Sequence, residues 1–127
     1  MPIGSSRRTE QAERFARRRG REDDAPRLHD QVPGLLSLQL HVEDLSGVTG
    51  GTKYTRRIVI DHAPALFLAP CSNVGCDSEE HDLTSEVMRA LRSQQTTFRG
   101  EDACGGSVGP HACAHRLRFD ALATYRD

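Results

Sequence analysis

Four cysteines stand in two pairs, Cys71 with Cys76 and Cys104 with Cys113, and His115 follows the last by two positions. Nothing else in the chain restricts the fold as much, because four thiolates sharing one ion would pin two distant segments to one point. The Cys71-x4-Cys76 spacing falls within the usual range for zinc ligands, whereas Cys104-x8-Cys113 is longer than most second pairs. The expected site is one structural Zn2+ per chain on Cys71, Cys76, Cys104 and Cys113, with His115 and then His81 as reserve ligands. Two local disulfides (Cys71–Cys76 and Cys104–Cys113), unligated buried thiols and a [2Fe–2S] cluster stay open as rivals. The spacing matches neither ferredoxin pattern.

Compartment bears on that choice. Met1 to Gly20 has no apolar stretch of seven residues, so a secretory core region is not expected, and no run is long enough to span a membrane. The expected setting is the cytoplasm, where thiols stay reduced and metal ligation outranks disulfide formation. A crosslink also suits a lean composition. Among 127 residues, 36% are hydrophobic and 28% charged, with no Trp, two Tyr and four Phe. A core of so few large side chains offsets little more than its own ordering entropy.

Charge divides the chain. Residues 1–21 carry seven arginines (Arg7, Arg8, Arg14, Arg17, Arg18, Arg19 and Arg21) against two glutamates, while residues 28–127 carry an acidic surplus. Residues 1–31 are expected to form a disordered Arg-rich arm in which Thr9–Arg19 is a short, marginal helix. Such an arm neutralises phosphates without a sequence code, and Phe15 is its one side chain suited to stacking.

Residues 32–127 carry the periodic patterns. Leu36, Leu38, Leu40 and Val42 alternate with polar residues, as in a half-buried strand. The segment Asp44–Thr52, with Gly47, Gly50 and Gly51, reads as a hairpin loop into a second strand over Lys53–Asp61. Ala65–Ala69 is apolar on both faces and reads as an interior strand. Leu83, Val87 and Leu91 recur every four residues, predicting a helix from Asp82 or Leu83 to about Gln94, with Asp82 as N-cap. Short and long strands are expected over 96–99 and 116–126. The strand ending at Ala69, the helix and the strand over 96–99 are expected to form a right-handed β-α-β unit that brings Cys71 and Cys104 to one sheet edge. The fold class is therefore α+β: a β-hairpin, a β-α-β unit and a C-terminal antiparallel strand, clamped by zinc.

A catalytic reading is thin. Cys113 and His115 resemble a thiolate–imidazole pair, yet the metal already claims the cysteine and no third orienting group is evident. His81-Asp82 and His29-Asp30 read as a helix cap and solvated histidines. A zinc hydrolase needs an open coordination position, hence three thiolates and a water, with Glu101 or Glu80 as base. No small-molecule substrate is indicated. The favoured role is a non-enzymatic zinc-stabilised binding module whose arm contacts RNA, DNA or an acidic partner. The alternative is an adaptor domain that binds protein through its sheet face or metal-bearing loops.

Overall fold

The computed structural model describes residues 3–45, 53–71, 76–77 and 80–126, with side chains in the N-terminal helix described for Thr9 and from Ala12 onward. In chain order the elements are α1 (Ile3–Asp24), α2 (Leu28–Gln31), β1 (Leu35–Asp44), β2 (Lys53–Ile58), β3 (Leu68–Pro70), β4 (Glu80–Asp82), α3 (Thr84–Arg92), β5 (Thr97–Ala103), β6 (Ser107–Val108), β7 (His111–Ala112) and β8 (Arg116–Tyr125). An antiparallel sheet of four strands, in the order β2-β1-β8-β5, forms the body.

Period-2 patterning decides which face of that sheet is buried. Leu38, Leu40 and Val42 of β1 and Leu117, Phe119, Ala121 and Ala123 of β8 all point inward and are buried. Leu83 at the start of α3 and Val87, Met88 and Leu91 on it complete the same core, as the four-residue spacing predicts. Tyr54 and Ile58 of β2 pack against it, while Val59 lies 67% exposed. Leu36 breaks the expected alternation. A register irregularity between Leu35 and Ser37 inserts one extra residue, so Leu35 and Leu38 both turn inward and Leu36 is 53% exposed. The turn joining β1 to β2, positions 46–52, lies outside the described residues.

The β-α-β unit expected around α3 is not formed. Most of 65–69 is buried, but its only strand, β3, is three residues long and pairs antiparallel with β4. Pro70 ends it, lacking the N–H a longer ladder requires. Phe67 instead spends its backbone on the helix start: its carbonyl accepts from Leu83 N at 2.8 Å and its N–H donates to Thr84 Oγ1 at 2.9 Å. Strand β5 runs antiparallel to β8 along its whole length, Thr97–Ala103. Helix α3 is shorter than expected at both ends. Leu83, not Asp82, takes the N-cap position, although Asp82 Oδ1 still accepts from Thr84 N at 3.0 Å. Gly100 is required where β5 meets β8, because a Cβ there would lie 2.8 Å from the Phe119 ring and 2.5 Å from Glu86 Oε2.

The N-terminal region also departs from expectation. It is a 22-residue helix rather than a disordered arm. The sequence has little apolar surface of its own to bury, and its anchors lie on the body. Arg14 Nη2 donates to the Cys76 carbonyl at 3.3 Å, and Arg21 pairs with both Glu80 and Asp82. The folded body likewise begins inside the segment assigned to the arm. Leu28 is fully buried, its N–H donates to Ala63 O at 2.9 Å, and Pro26 O accepts from Ala65 N at 2.7 Å. Among the described residues no helix is long and apolar enough to cross a membrane.

Candidate metal centre

All four cysteines meet at one end of the sheet. Cys71 lies one residue past β3, Cys104 one past β5 and Cys113 one past β7, while Cys76 bridges to Val108 of β6. Local hydrogen bonds explain the convergence despite the missing parallel crossover. Cys104 N donates to His115 O and Cys113 N to Gly106 O, both at 2.9 Å. Asp77 clasps Ser107, its N–H donating to Ser107 O at 3.0 Å and its Oδ1 accepting from Ser107 N at 2.7 Å. These contacts join the 71–77 segment to the β6–β7 hairpin.

The sulfurs sit at metal-sharing distances. All four ligand atoms lie within 4.8 Å of one another, with Cys71 Sγ 3.7 Å from Cys113 Sγ and Cys76 Sγ 3.4 Å from Cys104 Sγ. Four thiolates on one ion with Zn–S bonds of about 2.3 Å stand about 3.8 Å apart at tetrahedral angles. A disulfide requires about 2.05 Å, and none of the four cysteines is disulfide-bonded. Each is between 1% and 8% exposed, so the cluster is shielded from solvent. Four buried cysteines this close could hold a metal ion.

Burial pushes the Cys104 thiol above its ordinary range, although Gly106 N–H donates to its sulfur at 3.4 Å. At Cys113 burial pushes upward too, but the His115 backbone N–H and neighbouring thiols outweigh it, and that thiol falls below its ordinary range. An entering cation must displace the protons that remain, so affinity for a metal rises with pH.

The reserve ligands lie together beside the four sulfurs. His81 and His115 form a pair of their own, His81 Nε2 lying 2.6 Å from His115 Nδ1. His81 Nδ1 is 2.6 Å from Asp102 Oδ2, and His115 Nε2 is 3.0 Å from Asp44 Oδ2 without a well-aligned hydrogen bond. With Cys71 these rings make a second set of ligand atoms within 4.8 Å. Asp44 and Asp102 escaped sequence reasoning. The available signal was the strand period: Asp44 continues the inward row Leu38-Leu40-Val42, and Asp102 the row Phe98-Gly100. Both are opposite Leu117 of β8, on either side of it. The base candidates are engaged elsewhere, Glu80 with Arg21 and Glu101 with Arg116 at 3.1 Å.

The basic residues divide by direction. Arg7 and Arg8 lie on α1 at positions whose side chains are outside the described set. Arg14 and Arg21 turn to the body. The guanidinium carbons of Arg18 and Arg19 lie 5.7 and 5.9 Å from the centre of the Phe15 ring, which is 52% exposed, and Arg17 beside them is exposed. Phe15, Arg18, Arg19 and Glu22 of α1 face Tyr54 and Arg56 of β2 across a cleft of about 390 Å³. Comparison of the chain with family models, curated proteins and solved structures finds no match.

Proposed function

We propose that this protein is a non-enzymatic zinc-stabilised module that binds single-stranded nucleic acid along the cleft between α1 and β2. The observation that supports this most is the composition of that cleft, three arginines interleaved with Phe15 and Tyr54. Guanidinium groups neutralise phosphates, and exposed aromatic rings stack bases of any identity. Glu22 is the one carboxylate in the cleft and weakens phosphate binding near it. Four thiolates favour Zn2+ over harder cations, and a tetrahedral set of sulfurs leaves that ion no open position for hydrolysis. Its role in this proposal is structural, holding Cys76, whose carbonyl anchors Arg14 of α1.

Fluorescence anisotropy with short single-stranded RNA and DNA tests the proposal. Affinity is expected to fall with salt at a log–log slope of roughly −0.7 per phosphate neutralised. Arg18→Glu with Arg19→Glu should abolish binding, and Phe15→Ala should remove about 1–3 kcal/mol of stacking. Elemental analysis should find zinc, and iron with visible absorbance would overturn that assignment. A protein that binds neither nucleic acid at low salt supports the adaptor reading. That reading draws on the uncovered sheet face, where Leu36 and Leu122 are 53% and 54% exposed.

A further inference from the structure

Two carboxylates stand at the outer nitrogens of the buried histidine pair. Asp102 accepts from His81 Nδ1–H, so His81 Nε2 presents a lone pair. Asp44 Oδ2 stands 3.0 Å from His115 Nε2 without the alignment of a hydrogen bond, so it leaves the His115 tautomer open. The two inner nitrogens, His81 Nε2 and His115 Nδ1, meet at 2.6 Å. Either a proton on His115 Nδ1, donated to His81 Nε2, or a metal ion held by both nitrogens can occupy that contact. On a zinc ion the nitrogens would stand roughly 3.3 Å apart, from Zn–N bonds of about 2.0–2.1 Å at tetrahedral angles.

Two features favour metal over proton. The first is a third donor, since Cys71 offers a ligand atom within 4.8 Å of those of both histidines. A proton needs no such donor. The second is charge. Four thiolates on one dication carry a net charge of −2, and Asp44 and Asp102 stand beside them with side chains only 10% and 26% exposed. Arg14, reaching the Cys76 carbonyl, supplies one compensating charge. Uncompensated buried charge is costly, and a second dication sharing one thiolate neutralises the four sulfurs completely.

We infer that this protein holds a second divalent metal ion, bound by His81, His115 and Cys71, with Cys71 bridging it to the four-thiolate ion. Asp102 orients the His81 imidazole, and the Asp44 carboxylate stands beside that of His115. Nitrogen and sulfur donors suit Zn2+ or Co2+, and the three protein ligands leave a fourth position for water or an external donor. The inference rests on the four-cysteine site for its bridging sulfur, and goes beyond it in adding a metal with different ligands.

Titration of the reduced full-length chain with Co2+ tests it, read by d–d and sulfur-to-cobalt charge-transfer absorbance. Two equivalents should bind, the first with a tetrathiolate spectrum and the second with a mixed nitrogen–sulfur one. His81→Ala and His115→Ala should each lower the count to one and keep the tetrathiolate spectrum. Asp102→Asn should weaken only the second equivalent, by about 10–100-fold. Saturation of the unmodified chain at one equivalent overturns the second site, and a proton then occupies the pair. Loss of the tetrathiolate spectrum in folded histidine variants also overturns it, by assigning the histidines to the first ion. Binding of no equivalents would contradict the four-thiolate reading itself, which separates the two failures.

Discussion

Beneath the sheet, Leu38, Leu40, Val42, Phe119 and Leu91 pack into one apolar core that spans four strands and a helix. At the far end of the same strands, four sulfurs cluster with Val108 as their one partly buried apolar neighbour among the described residues. The two regions share β5 and β8 yet depend on different forces. Apolar burial holds the first in any salt and at any metal concentration. The second has too little apolar surface to order two-residue strands by burial, so an ion on the four sulfurs is the expected source of its order. Metal removal and core truncation should therefore damage different halves of the protein.

Breaking the cysteine end should give the largest effect. Chelation under reducing conditions, or Cys76→Ser, should remove the bound ion, whose apparent binding energy in comparable tetrahedral sites is about 10–16 kcal/mol. Because Arg14 docks on the Cys76 carbonyl, α1 should loosen with it, measurable as lost helical circular dichroism. Next in size is the core. Phe119→Ala should cost about 3–5 kcal/mol and Leu91→Ala about 2–5 kcal/mol in urea unfolding, with metal content unchanged. Gly100→Ala comes third, at about 1–3 kcal/mol, because its methyl group drives into the Phe119 ring.

The smallest expected effect lies at the rim between the two regions. A hydrogen bond from Arg118, with Lys53 nearby, holds the Glu43 carboxyl below its ordinary range. A carboxylate whose folded value is depressed stabilises fully above its unfolded value of about 4.3, and that contribution is lost as pH falls through the folded value. Glu43→Gln should therefore flatten the acid limb of the stability profile slightly, and more visibly at low salt than at high.

Much of the apolar half was legible because its signals are local. The period of two in β1 and β8, and of four in α3, gave the buried faces of Leu40, Phe119 and Val87 directly. Leu36 was misjudged because a bulge leaves no mark in a run of alternating residues. Pairing partners are non-local, which is why β5 was assigned to a parallel unit instead of to β8. The helix at 3–24 was read only as a short, marginal helix over Thr9–Arg19, since its anchors, Cys76 O and the Glu80 and Asp82 carboxylates, lie far away in sequence. At the cysteine end the four residues that cluster were legible by residue type alone. Asp44 and Asp102 were not, because an aspartate at a strand end ordinarily faces water even on an inward row, and the pairing with Leu117 that sets both beside the histidines is non-local.

Hydrogen exchange on the reduced protein, with and without chelator, tests the division between the two regions most directly. The amides of Asp77, Cys104, Gly106 and Cys113 make the hydrogen bonds that close the cysteine end. They should lose protection when metal is removed, while the amides pairing β1 with β8 from Leu38 to Val42 keep theirs. Unchanged protection at the four cysteine-end amides would show that this end needs no ion, and equal loss along β1 and β8 would show that the sheet cannot stand without it.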